Sequence, residues 1–163
     1  MLPVVALLAR GLSWIAGAGL LWMVAVNVAD VGMRSGLNAP IFGAYELVEL
    51  GLAACGFLAI PETFLRGGHI KIEMVEAILP PRAIRVMDGV AALATVGFLA
   101  ALLWNMVQPA IDMVTYNEVT FDLHLPLIVN AALVLAGLAG ALLVVVVVFL
   151  RDPSGALNSR SST

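Results

Sequence analysis

Residues 66–85 read RGGHIKIEMVEAILPPRAIR and lie between two long apolar stretches. They hold Arg66, Lys71, Arg82 and Arg85, half of the chain's eight basic residues. From Ile72 onward, Ile72, Met74, Val75, Ile78 and Leu79 fall within an arc of about 160° on a helical wheel, with Glu73 and Glu76 opposite. So short a helix does not hold in water on its own. Laid flat in a headgroup layer, its oily side would be buried and its charges wetted. The pattern predicts an interfacial amphipathic helix over about 70–79. Pro80 and Pro81 end it, because proline cannot continue a helix and biases its predecessor away from one.

The flanks explain why a headgroup layer is invoked. Of 163 residues, 62% are hydrophobic and 12% are charged, with a mean hydropathy of +1.05. Soluble domains run near 45–50% apolar and about 25% charged. The composition therefore predicts an all-α integral membrane protein, with room for about four spans and no added soluble domain. Residues 11–29, 89–111 and 125–150 are free of charge, and each is long enough to cross about 30 Å of hydrocarbon. The second span is different. Only 50–61 is uncharged, about 18 Å of helix. It must extend to about 44–65, which places Glu46, Glu49 and Glu62 near its ends, where a charge costs less. The expected spans are about 11–32, 44–65, 87–109 and 125–150, followed by a polar tail over 151–163.

Basic residues set the orientation. Arg10, Arg66, Lys71, Arg82, Arg85, Arg151 and Arg160 share one side of a four-span chain, and Arg34 alone is on the other. By the positive-inside rule both termini are cytoplasmic. The outer loop 108–126 carries Asp112, Glu118 and Asp122 and no Lys or Arg. Arg10 follows the first apolar run rather than preceding it, so the first span is expected to be retained.

Candidate chemistry is thin. Haem ligation would need histidines inside the spans, whereas His69 and His124 fall at span ends on opposite faces. His69 is expected to cap or hydrogen-bond near the interfacial helix. Glu46 and Glu49, spaced i, i+3, could bind a cation or proton, but headgroup-level solvation or partner contact is the simpler expectation. Asp30 and Arg34, at i, i+4, suit a local pair. Arg82 and Arg85 can meet lipid phosphates. Cys55, inside an apolar stretch, is expected to be buried and inert. Asn27, Asn105 and Asn130 are sparse for a substrate path. Gly51 with Cys55, Ala136 with Gly140 and Gly137 with Ala141 are small pairs four apart. They suit close helix packing, either within the unit or onto a larger partner. Trp14, Trp22 and Trp104 suit interfacial anchoring or packing. No GxSxG, HExxH, phosphate-loop or dinucleotide pattern occurs, and there is no basic–aromatic groove for nucleic acid. Neither catalysis nor a metal or cofactor is expected.

Two stretches carry a family resemblance. NVADVGMRSGLNAPIFGAYELVELGL (27–52) resembles the end of a first span, a basic residue, an N-x-P-I turn and a Glu opening the second span. FLRGGHIKIEMVEAILPPRAIRVMD (64–88) resembles an R-x-G-x-H-I segment, a short amphipathic stretch and an L-P-x-R ending. With four spans and both termini inside, the chain resembles the small, DctQ-like membrane subunit of TRAP (tripartite ATP-independent periplasmic) transporters. The resemblance implies a scaffold subunit supporting a large membrane subunit, which imports organic acids delivered by a periplasmic binding protein and uses a sodium gradient. It also implies an inner-membrane location, and membrane lipids among the partners. Glu46 and His69 fall at family-like positions, with structural roles implied; Glu49, Arg82 and Arg85 join them as candidate contacts. The second span lacks the tryptophan common there in the family. Rival readings are a small homo-oligomeric ion channel with Glu46 and Glu49 at an acidic mouth, and a membrane anchor of a respiratory enzyme.

Overall fold

The computed structural model describes residues 2–66 and 81–151. The interfacial helix expected over 70–79, and His69 before it, lie outside the described residues. The chain forms α1 (Leu2–Leu37), α2 (Ala44–Leu58), α3 (Ile60–Leu65), α4 (Pro81–Thr115) and α5 (Ile128–Arg151). Among the described residues, four helical stretches are long and apolar enough to cross a membrane: Val4–Leu37, Ala44–Leu65, Val86–Thr115 and Ile128–Leu150.

α1 is a run of Ala, Leu, Val and Met with no proline after its first turn, so nothing breaks it until Asn38 takes a left-handed conformation at φ 53°. Asparagine tolerates that region better than most residues and commonly ends helices there. The candidate span within α1 has 34 residues, about 51 Å of helix. It overruns the 11–32 core at both ends, so its termini tilt or project beyond the hydrocarbon. α4 likewise begins at Pro81 and runs through Pro109 to Thr115, longer than the 87–109 expected. Proline suits the first helical position, which explains the early start. Within the helix, Pro109 withdraws the N–H that would bond the Asn105 carbonyl, yet the helix persists beyond it.

The second span is two helices. Its apolar run continues from α2 into α3, but the helix breaks at Ala59. Pro61 is the physical cause: it lacks the N–H that would bond the Phe57 carbonyl, and its ring crowds that same carbonyl. Pro61 is visible in the sequence, but apolar length alone predicts one helix over 44–65.

Packing follows small residues, as it must where lipid and side chains are equally apolar and only close van der Waals fit favours helix contact. α1 crosses α2 where Gly19 faces Gly51. A Cβ on Gly19 would approach the Gly51 carbonyl oxygen to 3.2 Å, and one on Gly51 would approach the Gly19 carbonyl oxygen to 3.0 Å. α5 crosses α2 where Gly137 lies directly on the Phe57 carbonyl, which accepts the Ala59 N–H at the end of α2. Gly140 takes Pro61 and Leu12. Among the described residues, three clusters fill the interior: Ala16, Ala54 and Leu58; Val5, Ala9 and Val144; and Leu99, Leu138, Ala141 and Val145. Ala141 is 0% exposed. Gly51, Gly137, Gly140 and Ala141 thus pack inside the unit, which settles for them the choice the sequence left open. Cys55 is only partly buried.

α5 is the hub. It touches α1, α2 and α3, and α4 packs against it without comparable contact to α1, α2 or α3. Val86, Val90, Leu93, Phe98 and Trp104 along α4 are exposed, as are Trp14 and Trp22 on α1. The tryptophans therefore face outward rather than into the bundle. At one end meet Asp30, residues 41–46 and the 116–127 loop; at the other meet the first turns of α1, α3 and the last turns of α5. That alternation fits four antiparallel crossings.

Candidate functional site

Among the described residues, the polar side-chain contacts that join distant parts of the chain gather at the end where α2 begins. Gly43 precedes α2 with φ 71°, a left-handed conformation that favours glycine. A Cβ there would also run into the Leu123 side chain, whose Cδ1 and Cδ2 would lie 2.7 and 2.8 Å away. Leu123 therefore seats on Gly43, and the loop between α4 and α5 folds back over the start of α2.

Glu46 holds that loop. Its Oε1 accepts the Asp122 N–H at 2.7 Å, and its Oε2 accepts the Leu123 N–H at 2.9 Å. The residue is 8% exposed. A carboxylate taking two consecutive backbone N–H groups makes the stronger, charge-assisted kind of hydrogen bond. The loop closes on itself too. The Thr120 N–H donates to the Leu125 carbonyl at 2.9 Å, the Leu125 N–H donates to Thr120 Oγ1 at 2.9 Å, and the Leu127 N–H donates to the Glu118 carbonyl at 3.0 Å. Val119 and Pro126 face one another across an antiparallel bridge. The turn holds Phe121 98% exposed at its tip.

Glu49, one turn further on, accepts a hydrogen bond from Asn130 Nδ2 at 3.2 Å, tying α2 to α5. Asn130 Oδ1 is buried and takes no hydrogen bond among the described residues. Tyr45, Glu46, Glu49, Glu118, Thr120 and Phe121 are among the residues lining a cleft of about 480 Å³ on this face.

Asp30 does for the first loop what Glu46 does for the second. Its Oδ2 pairs with Arg34 Nη2 at 2.8 Å, the local pair that the spacing suggested. Its Oδ1 accepts the Ile41 N–H at 2.8 Å, fixing the turn before α2. Only the Arg34 half is visible in a helical spacing; the Ile41 half spans eleven positions through a turn. At the opposite end, Glu62 pairs with Arg66 at 2.6 Å, a second i, i+4 pair whose spacing was equally available in the sequence.

The expected site residues thus do not form one constellation. Glu46 and Glu49 share the loop-holding end. The backbone of Arg82 and Arg85 belongs to the first turns of α4, at the other end of the bundle. Asn27 and Asn105 donate to carbonyls one turn back in their own helices, at 3.0 and 2.8 Å. They satisfy themselves rather than a passing solute. Among the described residues, no three His, Cys, Asp or Glu side chains cluster as metal ligands.

An antiparallel set of apolar helices, packed on glycine and closed at one end by carboxylate-clamped loops, defines an all-α multi-span membrane protein. Comparison with known families makes it specific. The chain belongs to the family described as "Tripartite ATP-independent periplasmic transporters, DctQ component", which matches residues 23–154. It is a small membrane subunit of such a transporter, as the two quoted stretches implied. No curated protein and no solved structure matches the chain.

Proposed function

We propose that the chain is a scaffold subunit, supporting a large membrane subunit that imports organic acids handed over by a periplasmic binding protein and driven by a sodium gradient. Both termini are cytoplasmic, in accord with the distribution of basic residues. The 70–79 segment braces the unit along the inner headgroup layer.

The observation that carries the scaffold reading is where the intramembrane charge goes. Asp30 and Glu46, the buried acids at the outer end, are committed to the chain's own backbone N–H groups. A carboxylate held in this way fixes a surface; it is not free to pass an ion along. The same fact weighs against a channel whose mouth is lined by Glu46. The exposed apolar length of α4, with Val90, Leu93, Phe98 and Trp104 facing outward, offers a partner far more surface than a path.

Reconstitution separates the readings. Vesicles holding the full tripartite system are expected to accumulate an organic acid when a sodium gradient is applied, and vesicles holding this chain alone are not. Sodium-dependent uptake by the isolated chain would refute the scaffold role. Conductance from the pure protein that disappears in Glu46→Gln would establish the channel instead.

A further inference from the structure

The end of the bundle opposite the clamped loops holds an unabsorbed feature. Arg10, Ser13, Trp14 and Gly17 lie at i, i+3, i+4 and i+7 on one face of α1, and with Glu62 and Arg66 they line a cleft of about 530 Å³. Glu62 is 7% exposed. Its Oε1 accepts the Arg66 Nε–H at 2.6 Å, whereas Oε2 is buried and takes no hydrogen bond among the described residues. Arg10 makes no ion pair among the described residues. Trp14 beside it is 81% exposed, and tryptophan is enriched at headgroup depth.

A buried carboxylate oxygen lacking a donor is costly, and buried polar groups are nearly always satisfied. The missing group must be a donor and is best a cation. Arg10 and Arg66 line the same cleft, Arg66 with its Nε–H on Glu62, and guanidinium groups favour phosphate. A ligand that answers both demands carries an N–H cation and a phosphate a few bonds apart. We propose that this cleft binds a phosphoethanolamine group, its ammonium on Glu62 and its phosphate between Arg10 and Arg66. An aminophospholipid of the adjoining leaflet supplies that chemistry, with Trp14 against its glycerol region; a soluble phosphoethanolamine ester carries the same headgroup.

The full chain, purified in mild detergent and stripped of native lipid, is titrated with short-chain phosphatidylethanolamine, phosphatidylcholine and phosphatidylglycerol, with binding resolved by native mass spectrometry. The ethanolamine lipid is expected to bind about tenfold more tightly than the other two. Choline has no N–H to give Glu62, and the glycerol headgroup has no cation. Glu62→Gln is expected to erase the preference while leaving phosphatidylglycerol binding in place, and Arg10→Ala to weaken all three lipids alike. Glycerophosphoethanolamine is added as a competitor: displacement of the lipid at equal concentration assigns the site to a soluble ester, and failure to displace it assigns the site to the membrane. Equal affinity for the three lipids overturns the proposal, as does a preference that survives in Glu62→Gln. Should Glu62→Gln fail to fold, Arg10→Ala at an exposed position decides: unchanged affinity for all three lipids in that variant also overturns it. Loss of the large subunit on purification of Glu62→Gln, with no lipid preference in the wild type, would assign the orphan oxygen to a protein donor instead.

Discussion

Replacing Gly137 by alanine adds one methyl group at the crossing of α2 and α5. The new Cβ would fall on the Phe57 carbonyl, 2.6 Å from its carbon and 2.8 Å from the Phe57 Cβ. Carbon atoms sit comfortably at about 3.5–4.0 Å, so the two helices must part by roughly 1 Å at this point. The obstructing atoms are mostly backbone, already crowded by Pro61, and cannot swing aside as the end of a long side chain would. Overpacking of this kind costs about 1–3 kcal/mol, and a backbone obstacle puts Gly137→Ala near the upper part of that range. Alanine's better helix propensity returns up to about 1 kcal/mol. The expected net loss is therefore about 1–2 kcal/mol. Gly56 and Gly97 provide the control, because a Cβ at either meets nothing within 4 Å. There the propensity term stands alone, and Gly56→Ala and Gly97→Ala should be neutral or stabilising by up to about 1 kcal/mol. Reversible unfolding in mixed micelles, followed by far-ultraviolet circular dichroism against rising dodecyl sulfate, measures all three variants. If Gly137→Ala unfolds at the same point as Gly97→Ala, the helix crossing described above is wrong.

Two further perturbations probe the loop clamps. Glu46→Gln replaces a pure acceptor by a group that turns a donor toward one of two backbone N–H groups, so hydrogen exchange at Asp122 and Leu123 should quicken by about tenfold or more; unchanged protection would deny Glu46 its role. Asp30→Ala removes both the Arg34 pair and the acceptor for Ile41, and exchange at Ile41 should rise while the amides in the middle of α1 stay protected. A rise spread evenly along α1 would mean that Asp30 supports the helix rather than the turn.

How much of this was legible beforehand differs from residue to residue. The 44–65 extent of the second span followed from length alone, because 50–61 is too short to cross hydrocarbon and the ends had to absorb Glu46, Glu49 and Glu62. The break at Ala59 was legible too, in Pro61, yet periodicity and charge do not register a missing N–H. α1 and α4 run past the charge-free stretches, because charge-free length marks the hydrocarbon core, and helices continue into the headgroup layer where water and lipid satisfy their charges. Asp30 with Arg34 is a spacing and could be read; Asp30 with Ile41 could not. Glu46 stands out in the sequence as a carboxylate near a boundary, but its partners lie 76 and 77 positions away.

The sequence by itself determined the solvent. A chain 62% hydrophobic and 12% charged has to satisfy its backbone inside helices and bury them in lipid, and the order of its motifs was enough to place it in a transporter family. Only the tertiary structure decided which helices touch and what the carboxylates hold. In lipid, apolar surface is no guide to contact, since every face of a helix is equally at home. Contact is awarded by fit: a glycine opposite a carbonyl, a leucine over a residue without a Cβ, an oxygen within reach of two N–H groups. Such fits join positions far apart in the chain, so they emerge only once the chain has folded.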